Sequence, residues 1–173
     1  MSAIDVLVAH TREVPDFPKP RILFKDLTPL FGDHRAFATV LEDVASRWRG
    51  RVDTVVGVEA RGFIISAPLA QLMSVGFVPI RKAGKLPGEI ISYSYDLEYG
   101  EATVEVTVEA LARSRRVLLV DDVLATGGTA AAACGLVERA GAEVAGIEML
   151  LELSFLHGRD KLPGRDVHAM QTD

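Results

Sequence analysis

An α/β fold with a mainly parallel central sheet flanked by helices is what the 173-residue sequence predicts. Three observations carry that prediction. Apolar runs of strand length alternate with longer stretches of helical periodicity, the order that a parallel sheet with crossover helices requires. The short runs are rich in Val, Ile and Leu, as strands covered on both faces usually are. Hydrophobic residues make up 49% of the chain and charged residues 25%, enough to fill one core and coat its surface. A chain of this size buries roughly 70% of its unfolded surface without disulfides or metals, so residues 1–173 are read as a single domain.

Taken in order, residues 1–16 carry acidic groups and lack the basic start and long apolar run of a secretory signal. No stretch approaches the roughly 20 apolar residues of a membrane span, and a reduced, cytoplasmic setting is expected. His34–Trp48 places Phe37, Val40, Leu41, Val44 and Trp48 at three- and four-residue spacing, an amphipathic helix suited to packing on a sheet. Thr54–Val58 is the first buried strand, 62–73 the helix after it and 77–80 the next strand. Residues 81–112 form a long segment that alternates through Ile91, Tyr93, Tyr95 and Leu97. We expect a projecting hairpin there, with a flexible lid at about 81–105, because long insertions in compact domains are often lids; an ordinary edge hairpin is the plainer alternative. Strand 117–121, helix 127–139 and strand 144–151 complete the pattern.

The net charge of −5 argues against broad nucleic-acid binding, which relies on excess Lys and Arg. An anionic ligand must therefore meet a local basic patch. Cys134, the single cysteine, lies in an Ala-rich run and reads as a small core residue, not a nucleophile. His10, His34, His157 and His168 lack ligand-like spacing, which argues against zinc.

The most informative stretch runs Val117-Leu-Leu-Val-Asp-Asp-Val-Leu-Ala-Thr-Gly-Gly-Thr129: a buried strand ends in two acids and passes through a glycine turn into a helix. Gly127 and Gly128 permit positive φ, so successive N–H groups can converge on a phosphate at the positive end of that helix. Thr126 and Thr129 add hydroxyl donors. Asp121 and Asp122, at the carboxyl edge where open α/β sheets bind ligands, can accept from vicinal ribose hydroxyls. A phosphate with a sugar attached fits this site. The bland alternative is a helix capped by Thr126 beside an incidental acidic pair. A Walker A loop is excluded, since Pro79 stands where its first Gly belongs and Leu86 where its Ser or Thr belongs.

On these residues the stretch resembles the phosphoribosyl pyrophosphate-binding motif of type I phosphoribosyltransferases. Asp16-Phe-Pro-Lys-Pro20, Leu23-Phe-Lys-Asp26, Val58-Glu-Ala-Arg-Gly-Phe63, Arg81-Lys-Ala-Gly-Lys-Leu-Pro87 and Leu97-Glu-Tyr-Gly100 then resemble the adenine phosphoribosyltransferases, in the order that family shows. The resemblance covers residues 16–167 and implies the type I phosphoribosyltransferase fold with its hairpin lid. It implies an enzyme that joins adenine to the ribose carbon of phosphoribosyl pyrophosphate, giving AMP and pyrophosphate in purine salvage. It also implies Mg2+ held mainly by ligand oxygens and water, and a homodimer.

Roles follow residue by residue. The phosphoribosyl group is expected at Asp121, Asp122, Ala125, Thr126, Gly127, Gly128 and Thr129. Pyrophosphate is expected at Glu59, Ala60, Arg61, Arg81, Lys82 and Lys85, where three of the cations fall within five residues of an acidic protein; solvated surface charges are the alternative. The family's turn at Glu59-Ala60-Arg61-Gly62 often holds a non-proline cis peptide. Adenine is expected between Phe24 and Leu156, its polar edge read by main-chain groups of Leu23 and Lys25 in the base-binding segment at about 15–30. By residue type alone, Phe24 is a core aromatic. Glu98, in the lid, resembles the family's acid/base residue and Arg61 its pyrophosphate clamp; by residue type alone Glu98 is a surface carboxylate.

After Gly100 the sequence Glu-Ala-Thr-Val-Glu-Val-Thr107 departs from many relatives, which bears on hairpin contacts and leaves the reaction intact. Two rival readings stay open. One is a phosphoribosyltransferase for another base. The other is a non-catalytic sensor of phosphoribosyl pyrophosphate or purines that binds nucleic acid, which should add a basic face or a DNA-binding domain.

Overall fold

The computed structural model describes residues 1–96 and 100–173. The chain divides into two compact units, Met1–Arg47 and Trp48–Asp173.

The first unit opens with helix α1 (Ala3–Ala9), whose Ser2 and Asp5 form a reciprocal capping box. Strands β1 (Arg12–Pro15) and β2 (Leu23–Asp26) pair antiparallel, with Val14 opposite Phe24. The short helix α2 (Thr28–Gly32) follows. Asp26 holds this corner together: it accepts from the Thr28 hydroxyl at 2.5 Å and its N–H at 2.9 Å, and from Arg12 Nη2 at 2.5 Å. The Thr28 bonds, led by its hydroxyl, keep the Asp26 carboxyl below its usual range. Helix α3 (His34–Trp48) has the bounds its periodicity predicts, and Val40, Val44 and Trp48 are fully buried.

The second unit is a seven-stranded sheet. Its strands are β3 (Thr54–Val58), β4 (Gly76–Lys82), β5 (Ile90–Asp96), β6 (Glu101–Thr107), β7 (Arg116–Leu124), β8 (Glu143–Glu152) and β9 (Val167–Thr172), in the spatial order β5-β6-β4-β3-β7-β8-β9. Pairings from β4 through β9 are parallel, while β5 and β6 join antiparallel at one edge. Helices α4 (Arg61–Met73) and α6 (Gly128–Arg139) cross between parallel strands, with the single turn α5 (Val108–Leu111) between β6 and β7. Because strand side chains alternate between faces, β3 serves both helices. Val56 and Val58 pack in one cluster with Ala130, Ala133, Leu136 and Val137 of α6, whereas Gly57 faces Ser66 of α4. All five residues of β3 are buried, as a central parallel strand demands.

The hairpin of β5 and β6 does not stand free along its length. β6 extends the sheet through Arg81 and Lys82 of β4, and β5 lies along α6. Sequence alternation alone carries no information on which helix an edge hairpin meets.

Beyond β8 the chain turns through two 3-10 segments, Ser154–Leu156 and Gly158–Lys161, before β9. Glu152, 5% exposed, anchors this turn through a two-pronged pair with Arg159, both contacts 2.7 Å. The Arg159 bonds hold the Glu152 carboxyl below its usual range. A depressed carboxyl contributes stability above its unfolded pKa and loses it as pH falls through the folded value. Arg159→Ala should therefore lower Tm at pH 7 by about 2–6 °C, a modest figure because the arginine is half exposed. The gap from the parent should close as pH drops toward 3, as thermal melts across a pH series would read. Cys134 is fully buried and burial pushes its thiol up to about 11, as befits a core residue.

Candidate active site

A cavity of about 520 Å³ opens at the carboxyl ends of β3, β4 and β7. Two helix starts face it. The turn Glu59-Ala60 leads from β3 into α4, its peptide bond cis as the motif's resemblance implies, and Arg61 is the first residue of the helix. The turn Ala125-Thr126-Gly127 leads from β7 into α6, with Gly127 at φ 78°. Among the described residues no side chain caps either helix; the Phe63 N–H of α4 turns back to the Ala60 carbonyl at 3.2 Å, and the first-turn N–H groups before it are available to a ligand. Thr126 does not cap α6; the cap position belongs to Gly127.

Asp121 and Asp122 lie within the strand and not at its end, because β8 continues alongside and the ladder runs on through Val123 and Leu124. Asp122 is 4% exposed. Its Oδ2 stands 2.7 Å from Arg61 Nε, an ion pair in which that oxygen accepts no aligned hydrogen bond among the described residues. The Asp121 carboxyl is pushed well above its ordinary range, first by removal from water and then by the charge of Asp122; its Oδ1 accepts from the Asp122 N–H at 2.9 Å.

Glu59 organises the opposite wall. It accepts from Arg81 Nε at 2.9 Å and from the Lys82 N–H at 3.0 Å. Burial alone would raise this carboxyl, but those two bonds and the Arg81 charge hold it below its usual range. Lys82 lines the cavity; Arg81 is turned onto Glu59, and Lys85 is exposed on the following turn, off the cavity wall. Glu105, a buried acid that its residue type alone did not single out, accepts from the Gly84 N–H at 3.0 Å and holds that turn on β6. Ala102, Val104 and Met149 supply the apolar wall; nothing in their spacing marks them.

The residues expected around the base are placed unit by unit. In the first, Phe24 is half-buried and meets Phe17 edge-on with ring centroids 5.2 Å apart, while Leu23 is 45% exposed. Lys25 donates to Glu13 at 2.6 Å. In the second, Leu156 is 38% exposed on its 3-10 turn. Glu98 lies outside the described residues. Among the described residues, no three His, Cys, Asp or Glu side chains are grouped to hold a metal, and no helix is long and apolar enough to cross a membrane.

Known proteins match this arrangement closely. The family described as phosphoribosyl transferase domain matches residues 31–162. The adenine phosphoribosyltransferase of Salinispora tropica is 56% identical over 170 residues, covering 97% of this chain and 90% of that protein. The crystal structure of adenine phosphoribosyltransferase from Thermoanaerobacter pseudethanolicus superposes with a TM-score of 0.94 at 46% identity, covering 98% of this chain and 99% of that one. The Saccharomyces cerevisiae adenine phosphoribosyltransferase, crystallised with an imino-altritol bisphosphate and adenine, gives a TM-score of 0.93 at 38% identity, covering 97% and 98%.

Proposed function

The chain belongs to the phosphoribosyl transferase family and, within it, to the adenine phosphoribosyltransferases, and on that premise we propose how its residues divide the work of making AMP and pyrophosphate from adenine and phosphoribosyl pyrophosphate. It is a pentosyltransferase. The observation that carries the assignment of roles is the pair of uncapped helix starts facing one cavity, with two acids between them.

The loop Ala125 to Thr129 takes the 5′-phosphate on N–H groups and the hydroxyls of Thr126 and Thr129. Asp121 and Asp122 take the ribose hydroxyls. The start of α4, with Glu59, Ala60 and Arg61, takes pyrophosphate, and Lys82 adds charge from β4; Arg81 and Lys85 are proposed for the same subsite. As pyrophosphate departs, the anomeric carbon gains positive character. Fixed donors at the leaving oxygens and fixed carboxylates beside the ribose then stabilise both ends of the breaking bond. Leu23, Phe24 and Lys25, and separately Leu156, are proposed for adenine, and Glu98 for proton exchange with the purine ring nitrogen. The acids present suit Mg2+ held mainly by substrate oxygens and water, with Asp121 and Asp122 the nearby carboxylates. When bound, the ion would neutralise pyrophosphate charge.

We place the chain in the cytoplasm, working as one phosphoribosyltransferase domain with its lid at about 81–105. A homodimer is proposed, as the family resemblance of the motifs implies. Light scattering on the purified protein should give twice the chain mass of 18.7 kDa.

Arg61→Ala should lower kcat/KM by about tenfold to a hundredfold, the worth of charge-assisted bonds to an anion, with some loss of Tm because enclosed Asp122 loses the cation beside it. The deciding experiment supplies phosphoribosyl pyrophosphate, Mg2+ and each common nucleobase in turn, and follows nucleotide and pyrophosphate. Product with adenine alone is expected. Product with another base instead would overturn the adenine assignment, and no product with any base would overturn catalysis.

A further inference from the structure

The phosphate loop has a neighbour that the roles above leave out. Tyr95, half-buried on β5, lines the cavity and brings its hydroxyl to 3.1 Å from Thr129 Oγ1. Its ring edge lies 3.5 Å from where a side chain on Gly128 would begin. Two residues back along β5, Tyr93 lies over Gly135 of α6, so close that a Cβ there would stand 2.5 Å from the ring. Arg139 covers the same ring at 4.8 Å and donates to the Ser92 carbonyl at 2.7 Å. β5 is thus fastened to α6 twice, by packing and charge near Arg139 and by a single polar contact at the ligand end.

The chemistry of a phosphate gives that polar contact a direction. A phosphate dianion only accepts hydrogen bonds, so the Thr129 side chain can serve it only by aiming its one O–H at it. The threonine oxygen then presents its lone pairs elsewhere, and a donor placed on them polarises the O–H and strengthens the bond beyond. Tyr95 stands where that donor is needed.

We propose that Tyr95 is a positioning residue of the phosphoribosyl site: by donating to Thr129 Oγ1 it commits the threonine hydroxyl to the 5′-phosphate and ties the hairpin to that subsite. The inference rests on reading Ala125 to Thr129 as the 5′-phosphate cradle. Tyr93 and Arg139 keep β5 on α6 independently, so removing the Tyr95 hydroxyl leaves the strand in place.

The test is a double-mutant cycle on the full chain with Tyr95→Phe, Thr129→Val and the pair, titrating ribose 5-phosphate and, separately, inorganic pyrophosphate by calorimetry. Tyr95→Phe should weaken ribose 5-phosphate by about 3- to 10-fold, the worth of one hydrogen bond. It should leave pyrophosphate affinity and Tm unchanged, and add no further loss once Thr129 is valine. Undiminished ribose 5-phosphate affinity in Tyr95→Phe, or a loss fully additive with that of Thr129→Val, would remove Tyr95 from the role. Should Thr129→Val itself leave ribose 5-phosphate binding intact, the cradle reading fails and the proposal falls with it.

Discussion

Asp122→Asn is expected to lower kcat/KM for phosphoribosyl pyrophosphate by about a hundredfold to a thousandfold, the scale of removing one preorganised electrostatic partner of a transition state. The carboxylate is almost wholly enclosed, sits 2.7 Å from Arg61, and is neutralised by the change without loss of volume. Stability should move the other way. Asp121 binds its proton more tightly folded than unfolded, in part because Asp122 is charged beside it. Folding stability therefore falls as pH rises from the unfolded carboxylate value toward the folded one. Relieving that repulsion shrinks the fall, so Tm at pH 7 should equal or exceed the parent's. Steady-state kinetics paired with thermal melts check both halves. Unchanged kcat/KM would remove Asp122 from the proposed ribose site, and a large drop in Tm would show a structural role in its place. Loss of activity at no cost in stability is the mark of a group held against its own electrostatic preference for function.

Gly127→Ala is expected to lower Tm by about 4–20 °C and to weaken ribose 5-phosphate binding by at least tenfold. Two costs add. The residue sits at φ 78°, where a Cβ costs about 1–2 kcal/mol. That Cβ would also overlap the carbonyl of Gly158, a backbone obstacle that cannot rotate away, at about 1–3 kcal/mol for overpacking. A total of about 2–5 kcal/mol converts to the stated shift at roughly 2–4 °C per kcal/mol for a chain of this size. Moving the loop to relieve the clash re-aims the N–H groups at the start of α6. Calorimetric binding and melting of the same sample would show both effects, and a variant that melts and binds like the parent would refute the loop geometry.

Sequence and structure agree most closely where the signal is local. His34–Trp48 and Thr54–Val58 have the bounds that periodicity and the Val-rich run predict. Helix α6 begins within one residue of the expected start, because Gly127 and Gly128 punctuate the chain there. Disagreement is concentrated at edges. β9 was not expected: Val167–Thr172 carries His168 and Gln171 among few apolar residues, and it becomes a strand because β8 offers a ladder from Ile147 to Glu152. The other side of β8 pairs with β7 as far as Leu124, which draws Asp121 and Asp122 inside the strand.

The buried strands, the crossover helices and the glycine turn into α6 were thus determined by the sequence alone. Hydrophobic run length, 3.6-residue periodicity and paired glycines act over a few neighbouring residues and need no partner to be read. Which charges meet was decided only by the tertiary structure. Arg61 reaches Asp122 because β3 and β7 are parallel neighbours, Arg81 reaches Glu59 across 22 residues because β4 flanks β3, and Tyr95 reaches Thr129 across 34 because β5 lies along α6. Strand order in a sheet is set by packing between distant segments, and no local pattern records it.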